Sequence, residues 1–226
     1  MDVAAVNNYL EVVQWLHANR PEGCSSKAMD LAASNGHLEM LRWLHVNRSE
    51  GCTTAAMDGA ALHGHLDVVK WLHENTSSGC TVDAMNYAAA YGHLDVIKWL
   101  HENRSEGCTT FAMDQAAHCG KFEVVKWLHH NRSEGCTTTA MDLAAAERTT
   151  PAEIVFWLQK HRSEGCTTTA MNTAAEQSKF DVVLFLHSQR REGCTEEAIF
   201  ETDLESRKNI HEWLEEHYQE AIARDH

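Results

Sequence analysis

Residues Cys80 to Gly107 read CTVDAMNYAAAYGHLDVIKWLHENRSEG, and this stretch decides the fold. Thr81 is suited to open a helix, because its hydroxyl can accept from a backbone N–H that the first turn leaves free. Ala84, Met85, Ala88 and Ala89 then recur at helical spacing on one apolar face. Gly92 suits a left-handed stop. Leu94, Val96, Ile97, Trp99 and Leu100 mark a second amphipathic helix. Asp95 in its first turn and Arg104 near its end match the helix dipole, and Gly107 ends the following turn. The small Ala88 and Ala89 let the two helices approach closely. Trp99 and Leu100 are expected to fill the space between neighbouring units.

The pattern repeats in both directions. Cys24, Cys52, Cys80, Cys108, Cys136, Cys166 and Cys194 are spaced 28, 28, 28, 28, 30 and 28 residues apart. Trp15, Trp43, Trp71, Trp99, Trp127 and Trp157 keep the same steps, and Phe185 and Trp213 continue the register. Ser25, Thr53, Thr81, Thr109, Thr137, Thr167 and Thr195 repeat the capping position. One unit buries too little apolar surface to fold alone, whereas stacked units share a continuous core. The expected fold is therefore an all-α solenoid of stacked helix–turn–helix repeats in a single array. A partial repeat spans 1–23, repeats span 24–51, 52–79, 80–107, 108–135, 136–165 and 166–193, and a capping repeat spans 194–226.

The irregular places have their own readings. Met1-Asp2 aligns with Met29-Asp30 and Met57-Asp58, so the sequence starts inside a first helix, and Asn7, Asn8 and Tyr9 replace the usual x-Gly-His. The two extra residues of repeat 136–165 fall between Glu147 and Ala152. Thr150 there is expected as N-cap and Pro151 as first helical residue, which enlarges one loop without breaking the stack. In the last repeat Ile199-Phe200 replaces Met-Asp, and the polar stretch Asn209 to Arg224, anchored by Trp213 and Leu214, reads as a cap.

The core Ala60-Ala61-Leu62-His63-Gly64-His65-Leu66-Asp67-Val68-Val69 resembles the ankyrin repeat, and the resemblance recurs over nearly the whole chain. Two departures matter. The family's Thr-Pro-Leu-His opening reads here as Ala-Met-Asp or Ala-Met-Asn, as in Ala56-Met57-Asp58. Each unit is also about five residues shorter than the family's usual 33 or so. The shortfall lies between Leu72 and Met85, where the family carries a β-hairpin loop, so helix pairs joined by tight turns, without strands, are expected. The resemblance implies a non-enzymatic scaffold that binds a protein partner on the face lined by the first helices.

Comparing the units with one another locates that face. Counted from each Cys, offsets +4, +5, +8 and +9 hardly change, while +3, +7, +10 and +11 vary freely. The varied offsets share one side of the first helix. In the middle of the chain they are Leu62, His63, Asp83, Tyr87, Ala90, Tyr91, Phe111, Gln115, His118 and Cys119. Aromatic residues on a solvent face are typical interface anchors. The expected partner-binding residues are Leu62, His63, Asp83, Tyr87, Tyr91, Phe111, Gln115 and His118. Neutral drift at positions with no required contact is the competing reading.

Composition bounds the rest. Of the 226 residues 43% are hydrophobic, and the only prolines, Pro21 and Pro151, leave long stretches free of helix breakers. The formal net charge of −14 comes without a Lys/Arg cluster, so no nucleic-acid partner is expected. No apolar run approaches the roughly 18–20 residues that cross a bilayer, and no secretory leader opens the sequence. A cytoplasmic protein, or a nuclear one, is expected, with no membrane partner. It is expected to be a monomer, with end-to-end self-association as the alternative. A structural self-assembling protein or a targeting module of a larger protein are the competing functions.

Cofactors, metals and catalytic residues are not expected. The eight Cys contain no Cys-x-x-Cys pair. Equivalent residues of stacked helices sit roughly 10 Å apart, too far for a disulfide (Cα atoms within about 7 Å) or a shared zinc ion. The in-register Cys are read as buried turn residues, and Cys119, out of register, as an exposed thiol. His37, His65 and His93 follow the glycine stop, and His17, His45, His73, His101, His129 and His187 end the second helices. Capping and hydrogen bonding between units account for both series; pH sensing is the alternative, since His titrates near 6.5. No phosphate-cradling G-x-x-x-x-G-K-[ST] loop is present.

Overall fold

The computed structural model describes residues 1–147, 149–202 and 207–218. Its first helices are α1 (Asp2–Val6), α3 (Ser26–Ser34), α5 (Thr54–Leu62), α7 (Val82–Tyr91), α9 (Thr110–His118), α11 (Thr138–Ala146), α13 (Thr168–Glu176) and α15 (Glu196–Glu201). Alternating with them are the second helices: α2 (Leu10–Asn19), α4 (Leu38–Asn47), α6 (Leu66–Asn75), α8 (Leu94–Asn103), α10 (Phe122–Asn131), α12 (Ala152–His161), α14 (Phe180–Gln189) and α16 (Lys208–His217). Among the described residues there is no strand, so the tight-turn, all-α reading holds. The chain divides into two compact units, Met1–Ala112 and Met113–His226.

In the first unit α1, α3, α5 and α7 stack side by side, and each second helix packs on its own first helix. In the second unit α11, α13 and α15 stack in the same way. The invariant offsets are the core: Ala56, Met57, Ala60 and Ala61, like Ala140, Met141, Ala144 and Ala145, are essentially inaccessible. From the second helices Val68, Val69 and Leu72, and likewise Ile154, Val155 and Leu158, close the core. Each such large side chain contributes about 1.5–3 kcal/mol of hydrophobic free energy. Small residues set the spacing. A Cβ on Gly59, inside α5, would lie 2.8 Å from the Ser34 Cβ, so α3 and α5 approach closely only because Gly59 lacks one.

Several local expectations need refinement or correction. Trp99 does lie between repeats, in a T-shaped contact with His73 of the preceding one, but it is only half-buried, while Leu100 is buried. Arg104 stands at the end of the second helix as expected, as the extended C-cap of α8, and its guanidinium also reaches His73 of the preceding repeat at 3.4 Å. Thr150 does not cap α12; Pro151 does, and α12 begins at Ala152. The fixed φ of Pro151, −61°, with extended ψ, is compatible with an N-cap. Thr150 is buried instead and donates to the His118 carbonyl at 2.6 Å. The stack of α11 on α13 continues past this insertion. Asn8 and Ser178 take the left-handed conformation at the glycine-stop position, with φ of 58° and 62°. At the C-terminal cap Ile210 and Leu214 are the buried anchors and Trp213 is half-buried. Arg148 of the insertion and residues 219–224 of the cap lie outside the described residues.

Candidate functional site

The first-helix face is held in place by a relay that joins one repeat to the next. The Asp58 carboxylate accepts from Thr81 N at 2.8 Å and from Thr81 Oγ1 at 2.9 Å. Thr81 Oγ1 in turn accepts from Asp83 N, capping α7. Asp30 does the same for Thr53, Asp114 for Thr137 and Asp142 for Thr167. The amides Asn86 and Asn172 substitute for the carboxylate toward Thr109 and Thr195. At the first junction Asp2 binds both Ser25 N and Ser25 Oγ, and the Ser25 side chain makes no cap bond of its own. Burial is the main force pushing the Asp58 and Asp114 carboxyls above their ordinary range, opposed by these hydrogen bonds. The Ala-Met-Asp departure from the family pattern is therefore a structural lock.

A second clamp lies on the linkers. Arg48 pairs with Glu50, Glu50 accepts from Cys24 N at 3.3 Å, and Arg48 donates to His17 Nδ1 at 3.3 Å. The Arg48 guanidinium is the main cause holding the Glu50 carboxyl down at about 2. Arg104–Glu106 and Arg162–Glu164 repeat the pair. In the linker after α6, Thr76 caps the Leu72 carbonyl and Ser78 lies 3.2 Å from Cys52 Sγ in their place.

This lattice presents the varied offsets to solvent unevenly. Tyr91 is 61% exposed, Phe111 41% and Tyr87 38%. Tyr87 and Phe111 meet edge to face with ring centroids 6.1 Å apart, a favourable aromatic geometry. Asp83 and His63 are exposed and Leu62 is half-buried. His63 Nδ1 lies 3.0 Å from the Gly59 carbonyl and 3.3 Å from Ser34 Oγ. Asp83, Tyr87 and Tyr91 stand at i, i+4 and i+8 on α7, so they form one line along its outer side. Ala90, grouped with the varied positions by sequence, is buried. Gln115 and His118 belong to the second unit and are half-buried. His118 is engaged locally: Nδ1 lies 3.4 Å from the Leu143 carbonyl, and its own carbonyl accepts from Thr150.

A sequence profile described as ankyrin repeats (3 copies) matches residues 29–114 and 57–142, and one described as ankyrin repeats (many copies) matches residues 1–45. The chain belongs to the ankyrin-repeat family. Ankyrin repeats are generally protein–protein interaction modules, and the family is typically non-enzymatic. No curated protein sequence matches the chain. No helix among the described residues is long and apolar enough to cross a membrane.

The histidines and cysteines of this ankyrin array serve its junctions. His37 Nε2 lies 3.0 Å from the Val6 carbonyl and His93 Nε2 3.1 Å from the Leu62 carbonyl, each at the end of the preceding first helix. Lys179 takes over that place, donating to the Ala144 and Thr150 carbonyls. The second series packs perpendicular to the next tryptophan: His17 on Trp43, His45 on Trp71 and His73 on Trp99, then His129 on Trp157 and His187 on Trp213. Burial first, then Arg162, His130 and His161, pull the His129 imidazole below its ordinary value. Cys80, Cys136, Cys166 and Cys194 are buried, and burial pushes each thiol up to about 11. Cys119 is exposed. Among the described residues no group of three or more His, Cys, Asp and Glu is arranged to hold a metal ion.

Proposed function

We propose that the chain is a non-enzymatic protein-recognition scaffold, built on the repeat boundaries given above, whose contact surface in the first unit is the outer side of α5, α7 and the start of α9. Tyr87, Tyr91 and Phe111 are its anchors, with Leu62, His63 and Asp83 beside them. Gln115 and His118 are proposed for the same role in the second unit. One observation carries the reading: two partly exposed aromatic side chains, Tyr87 and Phe111, pack on each other at positions where other repeats place residues as different as Gly59, Thr173 or Leu31 and Ala55, Thr139 or Lys27. The junctions require nothing large there. Large rigid rings partly open to water at positions with no required packing partner suit an interface hot spot. The proposed setting is the cytoplasm or nucleus, and the proposed state a monomer.

Affinity capture with the full chain, compared with Tyr87→Ala and Phe111→Ala, tests this. Loss of the captured protein with an unchanged melting temperature supports it. Unchanged capture, or two variants that unfold, refutes it. End-to-end association has its own supporting observation, the exposed Val3, Tyr9, Val12 and Trp15 on α1, α2 and the turn between them. Sedimentation across a concentration series decides that reading: growing polymers favour it, and a constant monomer removes it.

A further inference from the structure

Charge is segregated between the two kinds of helix. Helices α5 and α7, and in the second unit α11, α13 and α15, carry no Lys or Arg. The helical cations sit mainly on second helices, as Arg42, Lys70, Lys98, Lys126 and Lys160. On the first-helix side of the first unit, Asp83 is exposed, Asp58 is half-buried and bonded to Thr81, and neither α5 nor α7 carries a cation; the exposed Lys27 stands apart on α3. After burial, Asp83 and Glu106 add to the push that raises the Asp58 carboxyl. The second unit shows the same bias independently. A cleft of about 280 Å³ between α13 and α15 is lined by Glu176, Glu197 and Glu201 with Thr169 and Thr173.

In the first unit this negative field coincides with exposed π faces. Asp83 stands one helical turn from Tyr87 and two from Tyr91, and Phe111 closes on Tyr87 edge to face. A guanidinium is the group that uses all of these at once. It is flat, stacks on an aromatic ring, stays charged, and forks two N–H groups toward a carboxylate. An ammonium has the charge without the plane. We infer that the α7 face, Asp83–Tyr87–Tyr91 with Phe111, receives an arginine side chain from a basic segment of the protein partner. This rests on the recognition reading above and names the chemistry of that partner.

The test uses the full chain and three fluorescent peptides of one sequence, with arginine, lysine or citrulline at the same positions. Anisotropy titrations at physiological salt are expected to rank arginine ahead of lysine by about fivefold or more, with citrulline weakest. Asp83→Asn and Tyr87→Ala should each weaken the arginine peptide about fivefold or more. Tyr87→Phe should retain binding, which separates loss of the ring from loss of the fold. Glu102→Gln, an exposed acid on α8, should change nothing. Equal binding of arginine and lysine peptides, or equal losses in Asp83→Asn and Glu102→Gln, overturns the inference, because only diffuse charge attraction is then at work. If the arginine peptide fails while Tyr87→Ala still abolishes cellular capture, recognition by this face stands and the arginine assignment falls.

Discussion

Replacing Asp58 by Ala removes a single carboxylate that ties α5 to the start of α7. Two hydrogen bonds go with it, to Thr81 N at 2.8 Å and Thr81 Oγ1 at 2.9 Å. Bonds to a charged group contribute about 1.5–3 kcal/mol each. Part of that is offset, since burial raises the Asp58 carboxyl and thus disfavours its charge. Thr81 is half-buried, so water partly replaces the lost acceptor. The net loss should be about 2 kcal/mol, which for a chain of this length lowers Tm by roughly 4–8 °C. Asp58→Asn should cost well under half of that, because Asn86 and Asn172 perform the same task in two other junctions. Thermal melts by circular dichroism, with proteins compared side by side at pH 7, measure both. An Asp58→Ala variant that melts with the parent, or an Asn variant as damaged as the Ala variant, would refute the relay as a source of stability.

Further outcomes follow from the same geometry. Gly59→Ala should destabilise by about 1 kcal/mol or more, although alanine is normally the better helix former, because its Cβ would meet Ser34 at 2.8 Å; Ser34→Gly in the same chain should restore the loss in a urea titration. The Glu50 carboxyl is held down at about 2, so its stabilisation is present above the unfolded value near 4.5 and is lost as pH falls from there toward 2; Glu50→Gln should flatten that part of a Tm-against-pH curve. The His129 imidazole is held below its ordinary value, so stability falls as pH drops below about 6.5, where the unfolded chain takes up the proton first; His129→Phe should reduce that slope. Cys119 should react with a thiol reagent ahead of the buried Cys80, Cys136, Cys166 and Cys194, whose thiols ionise only near 11; equal rates in the native protein would contradict the burial of those thiols.

The helix pairs were legible because their signals are local. Thr81, the Ala84–Met85–Ala88–Ala89 face and Gly92 all act within one repeat, and the periodic core matches the inaccessible residues. The junctions were not legible, because their partners lie in different repeats. Asp58 meets Thr81 across 23 residues, and helical periodicity carries no trace of such a bond. Asp58 thus read as a departure from a family pattern instead of as a lock. Trp99 was legible as a residue between units, but its partner His73 and its place at the rim were not, because both depend on the neighbouring repeat. At the candidate face, variation between repeats identified Tyr87, Tyr91 and Phe111 as outward residues, yet it also admitted Ala90. Variation marks freedom from a fixed contact, and a methyl group is tolerated in a crevice as well as in water.

We propose above that a protein partner is held on the outer side of α7. Placing a photo-crosslinking residue at Tyr91, and separately at Glu102 on α8, tests it directly in the full chain. A covalent adduct with one protein is expected from position 91 and none from position 102. Adducts from 102 with none from 91 would place recognition elsewhere on the array.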